Sequence, residues 1–459
     1  MREVVTHAPE GIGYWDGTMM AKSSKVVTFC LCASLAALGC GSAQTADAIS
    51  LNPSIASDEL EASSTYWAQY GRTARRTSHN PFETLIGPSN VASLVTAWHC
   101  CEGESPAIAL SHERLFTGGV TFTNTESAFV IDMTARALDP ATGAVRWSQT
   151  LSGDDSTFDT DEGPGQNITV GYGLVHLHQF GYSYLFSTAT GRAEAGRYLG
   201  PDSQSWPVMR EQWLVYSGNS DISTSVYTVT AADPQSGRVL WSKPQGLYRW
   251  QVEGALALAD GTVFTLTDEH RLIALNAATG STVWTTAAAA GPLGAPSVYL
   301  GHVLVVSRPK TLQAYDEKTG ALTWQSTLDA TVNGGGDEDG ALAESAPALA
   351  DDGAYAVLLA TTGIAIAKFD LTTGEKRWER TLVESPFQQF QRLNKAIANG
   401  VLYVGGGAGN LYALDAQSGV LLATFALGGA IQNIIVADGR VHATVAGHGV
   451  TTLSLPSTG

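Results

Sequence analysis

The stretch "LQAYDEKTGALTW" (residues 312–324) combines a short apolar run, an Asp-x-x-Thr-Gly turn and a tryptophan four residues after the glycine. The same arrangement occurs in "RALDPATGAVRW" (136–147) and in "AKFDLTTGEKRW" (367–378). An aspartate in this position can accept hydrogen bonds from the turn backbone, and glycine supplies the positive φ that reverses two strands tightly. The pattern therefore predicts a β-hairpin that is repeated along the chain.

The turn glycine recurs at intervals of 48, 46, 43, 40, 54 and 45 residues. These glycines are Gly143, Gly191, Gly237, Gly280, Gly320, Gly374 and Gly419. In five of the seven units a tryptophan lies four residues further on, at Trp147, Trp241, Trp284, Trp324 and Trp378, whereas Ala195 and Ala423 fill that position in the other two. A repeat of this length indicates a propeller or a solenoid.

Each unit has the pattern of four strands. In residues 254–286 the runs "ALALA", "TVFTLT", "RLIALN" and "STVWTT" are separated by turn residues. The tryptophan falls on the outermost of the four strands, where a large ring can fill the wedge between neighbouring units. Radial repetition of four-stranded sheets keeps strand edges short and protected. The sequence thus predicts an all-β propeller of four-stranded antiparallel blades.

The two ends of the chain predict how many blades there are. Gly459 lies 40 residues after Gly419, which leaves room for inner strands of a further blade without its outer strand. The missing strand occurs in "SNVASLVTAWHC", where Trp98 lies 49 residues before Trp147. We therefore expect an eight-bladed propeller closed by its N-terminal strand, with seven blades as the alternative.

The first part of the chain has the features of an export signal. Lys22 and Lys25 precede 13 mostly apolar residues, a run too short for a comfortable transmembrane helix. The preceding residues are acidic and do not belong to such a signal, so we expect translation to begin at Met19 or Met20. Residues 1–39 are therefore assigned to a misplaced start and a signal peptide.

The signal ends in "AALGC", which resembles a bacterial lipobox. This resemblance implies that Cys40 is lipidated and becomes the mature N-terminus; the alternative is plain secretion after cleavage within "GSAQTADA". Residues 40–64 are small and polar, as in a flexible linker, and residues 65–459 form the propeller. We expect an exported lipoprotein that is anchored to a bacterial membrane and faces the periplasm or the cell surface.

The charge of the chain limits its partners. The formal net charge is −17, with only 15% charged residues. Phosphate groups would be repelled by such a protein, which excludes nucleic acids and anionic membrane surfaces as partners. We expect protein partners, and contact with the membrane only through the lipid anchor at Cys40.

The repeats, typified by "ALDPATGAVRW", resemble the PQQ-like β-propeller repeat with its tryptophan-docking motif, over residues 65–459. The segment "WAQYGRTARRTSHNPFETLIGPSNVASLVTAW" (67–98) is similar to the lead-in of exported PQQ-repeat proteins. This family includes quinoprotein alcohol dehydrogenases and the lipoprotein of the outer-membrane β-barrel assembly machinery. The resemblance implies the fold, but it leaves both an enzyme and a scaffold open.

The pair Cys100–Cys101 bears on the enzyme alternative. In the dehydrogenases that the repeat resembles, PQQ lies over a Ca²⁺ ion and a vicinal disulfide covers the quinone, so PQQ and calcium are the cofactors that the resemblance implies. Adjacent cysteines of an exported chain can oxidise to each other. Here the pair lies about one blade earlier than in the dehydrogenases, which favours a structural or incidental role. The chain has no C-x-x-C-H motif for covalent haem.

Other candidates are weaker. Two acidic stretches (153–165 and 333–344) can bind a hard cation or a basic partner, or can be solvated loops. His176 and His178 lie on one face of a strand, but no third metal ligand can be named. The aromatic stretches around Trp250 and at 385–392 are consistent with packing between blades or with a binding rim.

These observations favour a binding or assembly scaffold, because every recognisable element is architectural. The alternative is a PQQ- and calcium-dependent alcohol dehydrogenase, and a hydrolase or lyase that uses channel carboxylates is a third reading without a specific signal. No catalytic residue is assigned.

Overall fold

The computed structural model describes residues 66–456 except for 105, 112, 125–128, 155–166, 180–181, 195–196, 199–206, 211, 220–225, 248–255, 268, 270, 287–293, 308–309, 332–345 and 385–392. The chain divides into two compact units, residues 1–52 and 53–459, and all described residues belong to the second. Among the described residues, no helix has the length and apolar character needed to cross a bilayer.

Nearly all regular structure is β. Two strands and a single 3₁₀ turn come first: β1 (His79–Asn80), the turn Val91–Ser93 and β2 (Val95–Cys100). Blade 1 contains β3 (Ala107–Ser111), β4 (Arg114–Asn124), β5 (Phe129–Leu138) and β6 (Val145–Asp154). Blade 2 contains β7 (Asn167–Gly171), β8 (Leu174–Gln179), β9 (Tyr182–Ser187) and β10 (Arg197–Tyr198). Blade 3 contains β11 (Val208–Arg210), β12 (Trp213–Asn219), β13 (Val226–Ala232) and β14 (Val239–Leu247).

The next blades repeat this order. Blade 4 contains β15 (Leu256–Ala259), β16 (Thr262–Leu266), β17 (Leu272–Asn276) and β18 (Thr282–Thr285). Blade 5 contains β19 (Ser297–Tyr299), β20 (His302–Ser307), β21 (Thr311–Asp316) and β22 (Leu322–Thr327). Blade 6 contains β23 (Ala348–Ala350), β24 (Gly353–Ala360), β25 (Gly363–Phe369) and β26 (Lys376–Val383). Blade 7 contains β27 (Lys395–Ala398), β28 (Val401–Gly405), β29 (Asn410–Asp415) and β30 (Leu421–Ala426). Blade 8 contains β31 (Ile431–Ala437), β32 (Arg440–Val445) and β33 (Gly449–Ser454), and β2 is its outer strand.

The ring is closed by its own ends. The eighth sheet has the order β2-β33-β32-β31, and Trp98 of the N-terminal strand lies opposite Thr452 of the C-terminal one. The first strand of every blade contacts the first strand of the next, including β31 of blade 8 against β3 of blade 1. The eight-bladed propeller with N-terminal closure is therefore confirmed, and the seven-bladed alternative is wrong.

The repeated turn has the predicted hydrogen bonds. In blade 5 the Asp316 carboxylate accepts from the backbone N–H groups of Lys318 and Thr319 at 3.1 and 2.8 Å, and the N–H of Gly320 donates to the Asp316 carbonyl at 2.9 Å. Gly320 has a φ of +68°, in the left-handed region that favours glycine. The turns that begin at Asp139, Asp233, Asn276, Asp370 and Asp415 have the same side-chain cap.

Each tryptophan in the repeat position of an outer strand docks onto the turn of the following blade. The indole of Trp284 lies on Gly320, where a Cβ atom would come within 2.5 Å of the ring, and its N–H donates to the Glu317 carbonyl at 3.0 Å. Five other pairs repeat the packing: Trp98 on Gly143, Trp147 on Gly191, Trp241 on Gly280, Trp324 on Gly374 and Trp378 on Gly419. The predicted wedge is thus a contact that joins one blade to the next.

The connections lie on two faces of the ring. The turn face carries the turns between the first and second strands and the Asp-x-x-Thr-Gly turns. The loop face carries the connections from an outer strand to the inner strand of the next blade. The inner strands run from the loop face to the turn face.

Candidate functional site

The segment Trp67–Asn80, here called the strap, hydrogen-bonds to the inner strand of every blade in turn. It begins at blade 1, where Trp67 and Leu110 exchange two backbone hydrogen bonds of 2.7 and 2.8 Å. The later contacts are Ala68 with Val170, Gln69 with Met209, Ala74 with Leu258, Arg75 with Val298, Thr77 with Leu349, Ser78 with Ile397 and Asn80 with Val436. All eight partners lie near the ends of the inner strands, so the strap fills the ring interior towards the turn face.

The strap also closes on itself. The N–H of Ser78 donates to the Gly71 carbonyl at 2.9 Å, and a Cβ atom on Gly71 would lie 2.8 Å from the Cα of Arg76. Arg72, Arg76 and Ser78 have positive φ angles of 73°, 58° and 52°. Such conformations cost about 1 kcal/mol or more each and persist where surrounding contacts fix them. The strap is therefore a tightly determined insert in the ring.

Two guanidinium groups of the strap are buried inside the ring. Arg76 is fully buried, its Nε donates to the Leu256 carbonyl, and its guanidinium lies 5.4 Å from the centroid of the Tyr70 ring. Burial lowers the pKa of Arg76 to about 10, against a smaller opposing effect of Tyr70. The guanidinium of Arg72 lies 5.5 Å from the Phe82 ring centroid. The strap of this acidic protein thus contributes buried guanidinium groups that lie near aromatic rings.

A buried amine begins the inner strand of blade 7. Lys395 is 5% exposed, and burial lowers the pKa of its ammonium group to about 7. The neighbouring Asn394 donates from Nδ2 to the Ile431 carbonyl at 3.3 Å, which ties the start of the strand to blade 8. An amine with a lowered pKa can serve as a base or a nucleophile, and a buried structural lysine has the same property.

Cys100 and Cys101 are joined by a disulfide at the end of β2, on the loop face. The following Glu104 is buried and accepts two hydrogen bonds from the guanidinium of Arg136, at 2.6 and 2.7 Å. This bidentate pair is the strong form of a charge-assisted hydrogen bond. The disulfide therefore lies three residues before Glu104, which forms an ion pair with Arg136 of blade 1.

Several predicted residues lie outside the described part of the chain. They are the lipidation site Cys40 with the signal and linker, residues 155–165 of the first acidic stretch, the whole second acidic stretch (333–344), Trp250 and the aromatic stretch 385–392. Nothing in the described residues tests those predictions.

The two histidines lie inside blade 2. His176 and His178 are buried on β8 with ring centroids 6.1 Å apart, and burial, with a smaller effect of His176, lowers the pKa of His178 well below its usual value. Within the described ranges, no group of three or more His, Cys, Asp or Glu side chains is placed to hold a metal ion.

Part of the chain is similar to a known family. Residues 227–395, from the third strand of blade 3 to the start of blade 7, match the family model described as outer membrane protein assembly factor BamB. The outer membrane protein assembly factor BamB of Moranella endobia is 26% identical over 231 residues, which cover 47% of this chain and 56% of that protein. The matched region thus spans little more than half the length of this curated relative.

Solved structures show the same architecture. BamB from Moraxella catarrhalis superposes with a TM-score of 0.56 at 18% identity, covering 80% of this chain and 99% of that one. The quinohemoprotein alcohol dehydrogenase ADHIIG from Pseudomonas putida HK5 superposes with a TM-score of 0.64 at 13% identity, covering 87% and 82%. At these identities the likeness shows the fold alone, which scaffolds and enzymes share.

Proposed function

We propose that this eight-bladed β-propeller, which resembles the PQQ-like repeat family, is an exported scaffold that binds other proteins during outer-membrane protein assembly. The observation that carries the proposal is the match of residues 227–395 to the outer membrane assembly factor model. The BamB proteins of Moranella endobia and Yersinia pestis, each 26% identical over 231 residues, support it, since both are outer membrane protein assembly factors.

The strap supports the scaffold function. It occupies the ring interior towards the turn face and hydrogen-bonds to all eight blades, six through its backbone and two through the side chains of Gln69 and Asn80. A ring filled in this way is a rigid frame whose faces and rim carry variable loops, which is where binding residues are generally found. The net charge of −17 favours a basic partner, so the association should weaken as salt concentration rises.

The proposed anchor is a lipid on Cys40, with the propeller facing the periplasm. We expect the full chain expressed in a Gram-negative host to fractionate with membranes, and Cys40→Ala to move it to the soluble envelope fraction. A Cys40→Ala variant that stays with the membranes would contradict the anchor and leave the scaffold proposal unaffected.

A PQQ- and calcium-dependent dehydrogenase is the second candidate, and the Cys100–Cys101 disulfide is the observation that favours it. The exported form, titrated with PQQ and Ca²⁺, distinguishes the two. The scaffold function predicts no shift of the quinone absorbance, no rise in melting temperature and no dye-linked oxidation of alcohols. A shifted spectrum together with turnover would establish the dehydrogenase and refute the scaffold.

A further inference from the structure

The disulfide of Cys100 and Cys101 lies where the ring is closed. Cys100 ends β2, the outer strand of blade 8, and the chain then passes directly to β3 of blade 1. This junction joins the first blade to the last and is called here the seam. The turn at residues 101–104 is therefore the covalent link that crosses the seam on the loop face.

The turn rests on blade 8 through its backbone. The N–H of Gly103 donates to the Gly447 carbonyl at 3.0 Å, and the N–H of Gly449 donates to the Glu104 carbonyl at 3.0 Å. A Cβ atom on Gly449 would collide with the carbonyl oxygens of both cysteines. The disulfide turn is thus seated directly on the β32–β33 hairpin.

The same turn holds blade 1 through a side chain. Glu104 is bound by both terminal nitrogens of Arg136, which lies on β5. A Cβ atom on Gly119 of β4 would come within 2.6 Å of the Glu104 carboxylate, so the carboxylate packs closely on this blade. Removal of one partner from a buried pair costs more than removal of an exposed charge. The position of Glu104 therefore determines how blade 1 is held against blade 8.

The turn requires a left-handed backbone conformation at Cys101, which is not a glycine. Cys101 has a φ of +64°, and its carbonyl accepts a 3.2 Å hydrogen bond from the Glu104 N–H. The bond to the adjacent Cys100 closes a small ring that fixes this conformation. Without that bond, a cysteine relaxes readily from the left-handed region, since glycine is the residue that adopts it without cost. Both cysteines are of intermediate burial and pack against the edge of the hydrophobic core, so neither is sealed inside it.

We propose that Cys100–Cys101 is a reversible modification site for dithiols, and that its reduction loosens the seam between blades 8 and 1. One thiolate of the dithiol attacks a sulfur of the disulfide and displaces the other cysteine as a thiolate, which takes up a proton. The second thiolate of the reductant then attacks the mixed disulfide and releases the remaining cysteine as a thiol. The dithiol loses two electrons and becomes a disulfide, and the turn gains two thiols.

Hydrogen exchange of the exported protein, with and without dithiothreitol, tests the proposal. Intact mass establishes complete reduction. We expect the amides of Gly103 and Gly449 to exchange at least about tenfold faster after reduction, because both donate in the seam. The amide of Gly320, which caps the turn at the blade 4 to blade 5 junction, should not change. Unchanged exchange at the seam, or equal acceleration at both junctions, would overturn the proposal.

A double variant gives the matching control. Cys100→Ser with Cys101→Ser should exchange at the seam as the reduced protein does, and dithiothreitol should have no further effect on it. Slow exchange at Gly449 in this variant would count against the proposal. If the variant does not fold, the comparison of oxidised and reduced wild-type protein still decides.

Discussion

The turn glycines lack a Cβ atom, and this leaves room for the tryptophan of the preceding blade to dock. Gly320 and Gly301 both have positive φ, +68° and +79°, but a Cβ atom would touch the Trp284 indole at Gly320 and nothing within 4 Å at Gly301. We expect Gly320→Ala to lower the free energy of unfolding by about 2 kcal/mol more than Gly301→Ala. Urea unfolding of the two variants measures this difference, and equal losses would contradict the docking contact.

A buried histidine in blade 8 predicts part of the acid sensitivity. His442 is fully buried with Nδ1 2.7 Å from the Thr452 hydroxyl, and burial, with a smaller effect of Arg440, lowers its pKa to about 3. Because the unfolded state binds the proton near pH 6.5, this site stabilises the fold above that pH. Its contribution is lost as the pH falls towards 3.

The stability lost through His442 is up to about 1.4 kcal/mol per pH unit. We therefore expect His442→Gln to show a shallower fall in unfolding free energy between pH 6 and pH 4 than the wild type. The exposed His99→Gln is the control, with the wild-type slope. An unchanged slope in His442→Gln would contradict the assignment.

At the scale of elements, the strap is the part of the molecule that no local sequence pattern predicted. Its contacts are mostly backbone hydrogen bonds, which any residue can make, and its residues have neither a period of two nor one of 3.6. The blades, in contrast, were predictable because Asp, Gly and Trp each have a distinct physical role in the turn and in its docking. The family resemblance marked residues 67–98 as a lead-in, but not as an insert in the ring.

The close packing of Gly71 against Arg76 in the strap can be tested by substitution. Gly71 has a φ of +73° and no room for a Cβ atom against Arg76, whereas Gly173 has a φ of +75° and open space. Gly71→Ala should therefore destabilise the protein by about 1–3 kcal/mol more than Gly173→Ala. Thermal unfolding with hydrogen exchange at Leu258 and Leu349, whose amides donate to the strap, checks this. Similar stability of both variants would show that the strap is not part of the cooperative fold.

At the scale of the whole molecule, the spacing of Trp98 before Trp147 predicted the eight-bladed ring because closure requires an outer strand for the last blade. Function was harder to predict, since one propeller serves for catalysis and for binding. The sequence could propose the cysteine pair but not the contacts around it, because Glu104 meets Gly449 of blade 8 only when the ring closes.

The most direct test of the scaffold function is photo-crosslinking of the full chain in the cell envelope. A photoreactive amino acid replaces side chains exposed on the rim (Val239, Leu322 and Leu421) and on the turn face (Leu300), with the buried Ile397 as control. We expect adducts with outer-membrane assembly proteins from at least one exposed position and none from Ile397. The absence of protein adducts from every exposed position, in cells where the chain reaches the envelope, would contradict the scaffold function.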